Sequence, residues 1–278
     1  HLFEIKWDGI RALTFVEGGE LRALSRNRQA LTPAFPELAP LLRLPSGTLL
    51  DGELVVLEGG RPSFSRSLER MQAKAKLRVD ALARSSPAQY VVFDLLYLAG
   101  DALITRPLHE RRARLQELLG GLAEARIVFS DGVIGPGRAF FEEARTRGLE
   151  GIVAKERDGA YLPGKRTRSW IKVKTTRTVP CAILGWVPDE RGELTSLIVA
   201  LEEDGRLVSV GRVGSGLTEA LRARLLELCR ARATDEPFVA CTEEGRWVEP
   251  GLYCSVSFLE RTRNGLRAPV FVELLEEG

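Results

Sequence analysis

The sequence predicts an α+β protein of two parts, a larger one of antiparallel sheets with flanking helices (1–178) and a smaller β-rich one (179–278). Three observations carry this. Short apolar strands fill the first hundred residues, helical periodicity is confined to a few segments between about 64 and 147, and the polar run TTRTVP near 175–181 precedes a stretch that is again mainly strands. With 278 residues, 44% hydrophobic and 28% charged, the chain is long enough for two modest cores. No uninterrupted apolar run approaches the roughly 20 residues that a bilayer requires, so no membrane span is expected.

The elements follow in order. LTFV and LRAL flank Gly18-Gly19, a hairpin signal. TLLDGELVVL reads as a strand interrupted at Asp51-Gly52, and QYVVFDLLYL (89–98) as a central strand. Residues 64–84 read as helical, with Met71 packing. Leu108, Leu115, Leu118 and Leu119 make one helical face, and a second helix over Ala139–Arg147 stops at Gly148. GIVAK and SWIKVK are two further short strands. In the second part CAILGWV, LTSLIVAL, RLVSVGRV and LYCSVSFL read as strands, interrupted by a helix from Thr218, its candidate cap, to about Arg230. That inventory suits a small Greek-key barrel. The four cysteines, Cys181, Cys229, Cys241 and Cys254, are too dispersed for a zinc knuckle and are expected as buried free thiols, at home in a reducing cytoplasm.

The net charge of +2 says little, but its distribution says more. From Lys155 to Arg177 the chain carries Lys155, Arg157, Lys165, Arg166, Arg168, Lys172, Lys174 and Arg177 against Glu156 and Asp158. Phosphate is the natural ligand for such a run. In EIKWDGIRA, Lys6 stands before the Asp8-Gly9 turn with Arg11 just beyond. A lysine among other cations loses its proton more readily than an isolated one and can attack a phosphate. Glu53 and Glu150, each at the end of an apolar strand, are candidate Mg²⁺ ligands on neighbouring strands. In SWIKVK, alternation puts Lys172 and Lys174 on one polar side and Ile171 and Val173 toward the core. Phe93 is either core or a ring stacked on a purine. Singly, each of these patterns also suits ordinary surface or core residues.

In order, Lys6-Trp7-Asp8-Gly9-Ile10-Arg11, Ser25-Arg26-Asn27, Asp51-Gly52-Glu53, Phe93-Asp94-Leu95-Leu96, Glu150-Gly151-Ile152-Val153-Ala154-Lys155 and Trp170-Ile171-Lys172-Val173-Lys174 resemble the successive motifs of the covalent nucleotidyltransferases. YLPGKRTRSWIKVK and GRVGSGLTE most resemble the ligase domain of bacterial ligase D, among the ATP-dependent DNA ligases. The resemblance implies an adenylation domain followed by an OB fold. It also implies ATP and Mg²⁺ (or Mn²⁺) as cofactors, and nicked duplex DNA as substrate, in repair or end joining. Lys6 would carry AMP. Glu4 and the backbone at Ile5 would read adenine, with Phe93 and Val153 on its two faces. Arg11 and Arg26 would hold ribose or the nick phosphate, Glu53 and Glu150 the metal or ribose, and Lys155, Lys172 and Lys174 phosphate. Fused or separate polymerase and phosphoesterase modules, Ku, and a cytoplasmic, nucleoid-associated setting are further implications. Only five residues precede Lys6. Leu275 and Gly278 stand where the resemblance would place the Arg and Lys of a final motif that orients pyrophosphate.

Overall fold

The computed structural model describes every residue except Arg166, Arg263 and 276–278, so Arg166 of the basic run and Gly278 of the divergent end lie outside the described residues. The chain divides into two compact units, His1–Thr175 and Thr176–Gly278.

In the first unit the order is β1 (Leu2–Ile5), β2 (Ile10–Glu17), β3 (Glu20–Ser25), β4 (Thr48–Glu58), β5 (Arg61–Pro62), α1 (Phe64–Gln72), α2 (Lys76–Ser85), β6 (Ala88–Leu98), β7 (Asp101–Ala102), α3 (Leu108–Leu122), β8 (Ile127–Phe129), β9 (Gly132–Ile134), α4 (Gly137–Thr146), β10 (Gly151–Lys155) and β11 (Trp170–Lys174). These strands form two sheets. The larger runs β3-β2-β4-β6-β7, with β5 on β4 and β8 on β6; the smaller runs β11-β10-β1-β9. The β2–β3 hairpin turns through Gly18 and Gly19, both at positive φ, as a two-residue turn of this hand requires. Ile10, Ala12, Thr14 and Val16 alternate inward along β2. Ile10, Ala12 and Val16 meet Leu50, Leu54, Val92 and Leu95 of β4 and β6, and Leu115, Leu119 and Leu122 of α3, in one core.

The structure corrects three expectations here. β4 is not interrupted at Asp51-Gly52. Its register with β2 is unbroken, and only the pairing with β6 shifts there. Gly52 allows the approach, because a Cβ would stand 2.6 Å from the Tyr90 ring and from the Val91 carbonyl. Residues 64–84 hold two helices, parted where Ala73 and Ala75 adopt extended backbone; Met71 does pack against the core. Ile171 and Val173 do not face a core and are 46% and 38% exposed. β11 is one edge of the smaller sheet, and α4 packs on the other three strands, β10, β1 and β9.

The second unit contains β12 (Arg177–Pro188), β13 (Leu194–Glu203), β14 (Arg206–Val213), α5 (Glu219–Ala231), β15 (Ala233–Thr234), β16 (Arg246–Val248), β17 (Tyr253–Phe258), β18 (Glu260–Thr262), β19 (Gly265–Arg267) and β20 (Val270–Leu275). Pairing runs β14-β13-β12 and then forks to β16-β15 and to β17-β20. The long β12 makes the fork possible, pairing with β17 along its first half and β16 along its second. Between β14 and β20 the described link is a lone parallel bridge, Ser215–Val270, rather than a ladder. Thr218 caps α5, its side chain accepting from the Leu221 N–H at 3.3 Å. Trp186, Leu197, Val199, Leu225 and Val256 lie in the core with Cys181, Cys229 and Cys254. All four cysteines are free, and Cys241 is partly exposed. No helix among the described residues is long and apolar enough to cross a membrane.

Candidate active site

β1 positions two functional side chains, Glu4 within the strand and Lys6 just past its end. The Lys6 N–H donates to the Gly151 carbonyl at 2.9 Å, which continues the β1–β10 ladder one residue beyond the Ile5–Ile152 pair. Across the smaller sheet Glu4, Val153 and Lys172 stand in register, as do Lys155 with Trp170 and Gly151 with Lys174. Neighbours in register share a face, so one face carries nearly all the polar groups that the motifs supply. Ile5 falls on the other face. Gly151 has a φ of +143°, and a Cβ there would strike the Val173 carbonyl, so only glycine fits between Glu150 and the two strands it joins.

One end of the site is built around Lys6. Its ammonium pairs with Glu150, whose carboxylate is almost fully buried. The buried Oε2 of Glu150 touches Lys6 but accepts no hydrogen bond in good geometry. Glu53 stands opposite Arg11 in the β2–β4 pairing of the larger sheet. Burial pushes the Glu53 carboxyl up to about 8, against the opposing charges of Lys6 and Arg11. Lys172 is pushed down, first by desolvation and then by the like charges of Lys6 and Arg11. Arg11 is fixed by a two-pronged bond to the buried Asp51, Nε to Oδ1 at 3.0 Å and Nη2 to Oδ2 at 2.6 Å, and Tyr161 donates to the same carboxylate at 2.9 Å. Glu53 and Glu150 thus come together around Lys6, but not from neighbouring strands as the sequence suggested: β4 and β10 belong to different sheets. No group of three or more His, Cys, Asp or Glu side chains able to hold a metal occurs among the described residues.

The other end is built around Glu4, which is 2% exposed. Its Oε1 accepts from Arg112 Nη1 at 2.8 Å and lies 2.9 Å from Lys155 Nζ; Oε2 accepts from Ser130 Oγ at 3.0 Å. Lys155, counted in the sequence with an exposed basic run, is instead buried. Its ammonium lies 4.5 Å from the centre of the Phe93 ring and 4.1 Å from that of Trp170. Burial lowers its pKa, and Glu4 opposes that shift. Phe93 and Trp170 meet edge to face at 5.8 Å, and Tyr161 meets Trp170 in the same way at 6.0 Å.

Of the residues singled out by sequence, Lys6, Glu53, Glu150 and Lys172 converge at one end and Glu4, Phe93, Val153 and Lys155 at the other, while Arg11, opposite Glu53, also reaches to 5.8 Å from the centre of the Phe93 ring. Lys174 lies exposed on β11. Arg26 is exposed in the turn after β3 and makes no hydrogen bond or ion pair with the described residues of either group. Sequence reasoning missed Asp51 as the anchor of Arg11, and missed Tyr161, Trp170, Arg112 and Ser130. The Arg111-Arg112 pair at inward positions of a leucine-periodic helix was a readable signal, since arginine is rarely buried unless paired.

Comparison with known proteins gives the family. Residues 1–174 match the family described as ATP dependent DNA ligase domain, and residues 190–277 match the ATP dependent DNA ligase C terminal region. The multifunctional non-homologous end joining DNA repair protein LigD of Mycobacterium tuberculosis is 34% identical over 95% of this chain, which spans 34% of that protein's length. The chain therefore covers about a third of such relatives. DNA ligase C of the same organism is 32% identical over 88% of this chain and 68% of its own. The crystal structure of the ligase domain of M. tuberculosis LigD is 33% identical with a TM-score of 0.56, covering 99% of this chain and 88% of that one. On the matched families, which together span most of its length, the chain belongs to the ATP-dependent DNA ligases.

Proposed function

We propose that this chain is the catalytic core that seals 5′-phosphate/3′-hydroxyl nicks in duplex DNA through a covalent lysyl-AMP. The observation that carries the proposal is the convergence on Lys6 of Glu150, Glu53, Lys172 and Arg11. Lys6 attacks the α-phosphorus of ATP through Nζ; the N–P bond forms as the bond to pyrophosphate breaks. Glu150 holds the ammonium and accepts its proton as Nζ becomes the nucleophile. Lys172 faces the growing negative charge on phosphate, which offsets its repulsion from Lys6. AMP then passes to the 5′-phosphate of the nick, and attack by the 3′-hydroxyl releases it.

Glu53 and the under-bonded Glu150 suit a divalent ion, because Mg²⁺ commonly takes one or two carboxylates and completes its shell with water and substrate phosphate. When bound, such an ion neutralises charge on the phosphate oxygens. Glu4 and the backbone at Ile5 read the base, with Phe93 and Val153 on its faces. Lys155 is assigned to this base end rather than to phosphate, because its ammonium is held by Glu4 and two rings. Arg11, held by Asp51, Arg26 and the exposed Lys174 serve ribose or the nick phosphate. The second unit is read as an OB fold that engages DNA. The setting is DNA end joining, the process for which the LigD relatives are named, and polymerase and phosphoesterase modules and Ku would be its partners there.

Incubation with α-labelled ATP and Mg²⁺, then a denaturing gel and a chase with nicked DNA, tests the proposal. Label should stay on the wild-type chain, be absent from Lys6→Ala, and be discharged as the nick closes. An equally labelled Lys6→Ala protein would reject the assignment.

A further inference from the structure

The network beneath Glu4 fixes its carboxylate from several directions. Arg112, on α3, donates to Glu4 Oε1 and, through Nη2, to the Ser130 carbonyl at 2.7 Å. Its Nη1 also reaches the Phe93 carbonyl at 3.4 Å, and its guanidinium lies over the Phe129 ring at 4.5 Å. A planar guanidinium held from four sides has little freedom to turn. The Ser130 hydroxyl donates to Glu4 Oε2 and accepts from Trp7 Nε1 at 3.3 Å. Glu4 and Trp7, the two residues tied together here, bracket Lys6 in the chain. One side chain thus orients the acidic group and holds the backbone of the aromatic residue assigned to stack on the base.

We infer that Arg112 and Ser130 are positioning residues that set the base preference of the nucleotide site, holding Glu4 as a fixed hydrogen-bond acceptor. This rests on the assignment of Glu4 to the base edge. Arg112 and Lys155 both lie at Oε1, so the carboxylate faces two cations and serves its neighbours as a hydrogen-bond acceptor. Oε2 has one described donor, Ser130, and a carboxylate oxygen accommodates two. The group that satisfies it is the exocyclic amino group of adenine. A 6-oxo purine presents an acceptor at the same place, leaving two acceptors face to face and both unpaired, the situation that binding sites reject most strongly. That rejection requires Glu4 to stay where it is. A carboxylate free to swing would turn away from the oxo group and lose the discrimination.

The test uses the whole chain and compares labelled adduct formation from subsaturating ATP and ITP, which differ at that position. In Ser130→Ala and Arg112→Gln, adduct formation from ATP should slow roughly tenfold, the scale of one hydrogen bond to a charged group. ITP should hardly change, so the ATP:ITP ratio collapses. Arg112→Lys, which retains the charge, should recover part of the ratio. A loss shared equally by both nucleotides, or an unchanged ratio, would overturn the inference. Ser130→Ala loses one hydroxyl and carries the test alone if the Arg112 variants do not fold. Wild-type protein that forms no adduct from either nucleotide would instead reject the adenylation reading itself.

Discussion

The two ends of the site each contain a lysine facing a glutamate, and they treat the pair in opposite ways. At the Glu4 end, Lys155 is enclosed between two aromatic rings, and its partner is held by an arginine and a serine as well. At the Glu150 end, Lys6 keeps some access to solvent, its partner's buried oxygen accepts no good hydrogen bond, and Lys172 and Arg11 crowd the same space. The first arrangement is held in place from several sides, and what it leaves open is one acceptor position on Glu4 Oε2. The second gathers Lys6, Lys172 and Arg11 so closely that they repel one another, and an arriving phosphate relieves that repulsion. Burial alone does not distinguish a structural ion pair from a reactive one; the number of unmet partners does.

The sharpest way to break the comparison is to remove Lys155. Leaving a buried carboxylate without one of its two cations costs on the order of 3 kcal/mol in such settings, so Lys155→Ala should lower the urea midpoint clearly. A wild-type midpoint would mean that the Glu4 end is not the rigid one. Lys172→Ala should show the reverse profile. Its side chain is exposed on an edge strand, so stability should stay within about 0.5 kcal/mol, while lysine adenylation slows roughly 100-fold, as when one preorganised donor to developing charge is lost. A normal rate in single-turnover labelling would remove Lys172 from the phosphate end.

The smallest effect concerns Glu53. Its folded-state pKa near 8, against an ordinary 4.5, means the folded chain binds that proton more tightly than the unfolded chain does. Without metal, this contribution to stability therefore declines as pH rises from about 4.5 to about 8 and is flat above that. In Glu53→Gln the decline should be missing, which denaturation midpoints across that range will show. Parallel curves for the two proteins would place Glu53 in a more open environment.

Much of this was legible in the sequence wherever the information is local. Gly18-Gly19 announced its hairpin, the leucines of α3 their face, and Thr218 its helix. Lys6, Glu53, Glu150 and Lys172 were marked by motifs that each fit within a few residues. What stayed hidden depends on pairings distant in sequence. Arg112 and Ser130 reach Glu4 across 108 and 126 positions, and Asp51 reaches Arg11 across 40. Ile171 and Val173 were misplaced for a related reason. Alternation along β11 separates two faces but does not say which is covered, and α4 packs on β10, β1 and β9 rather than on the β11 edge.

The bond from the Lys6 N–H to the Gly151 carbonyl has a consequence for traffic through the site. The backbone of Lys6, the proposed nucleophile, is tied into the ladder, and the range of anything attached to Nζ is the radius swept by its side chain. A carried nucleotide is a cargo on a short, fixed leash. The chain cannot ferry it to a distant acceptor, so the acceptor strand has to be delivered to the lysine, with its terminus inside that radius.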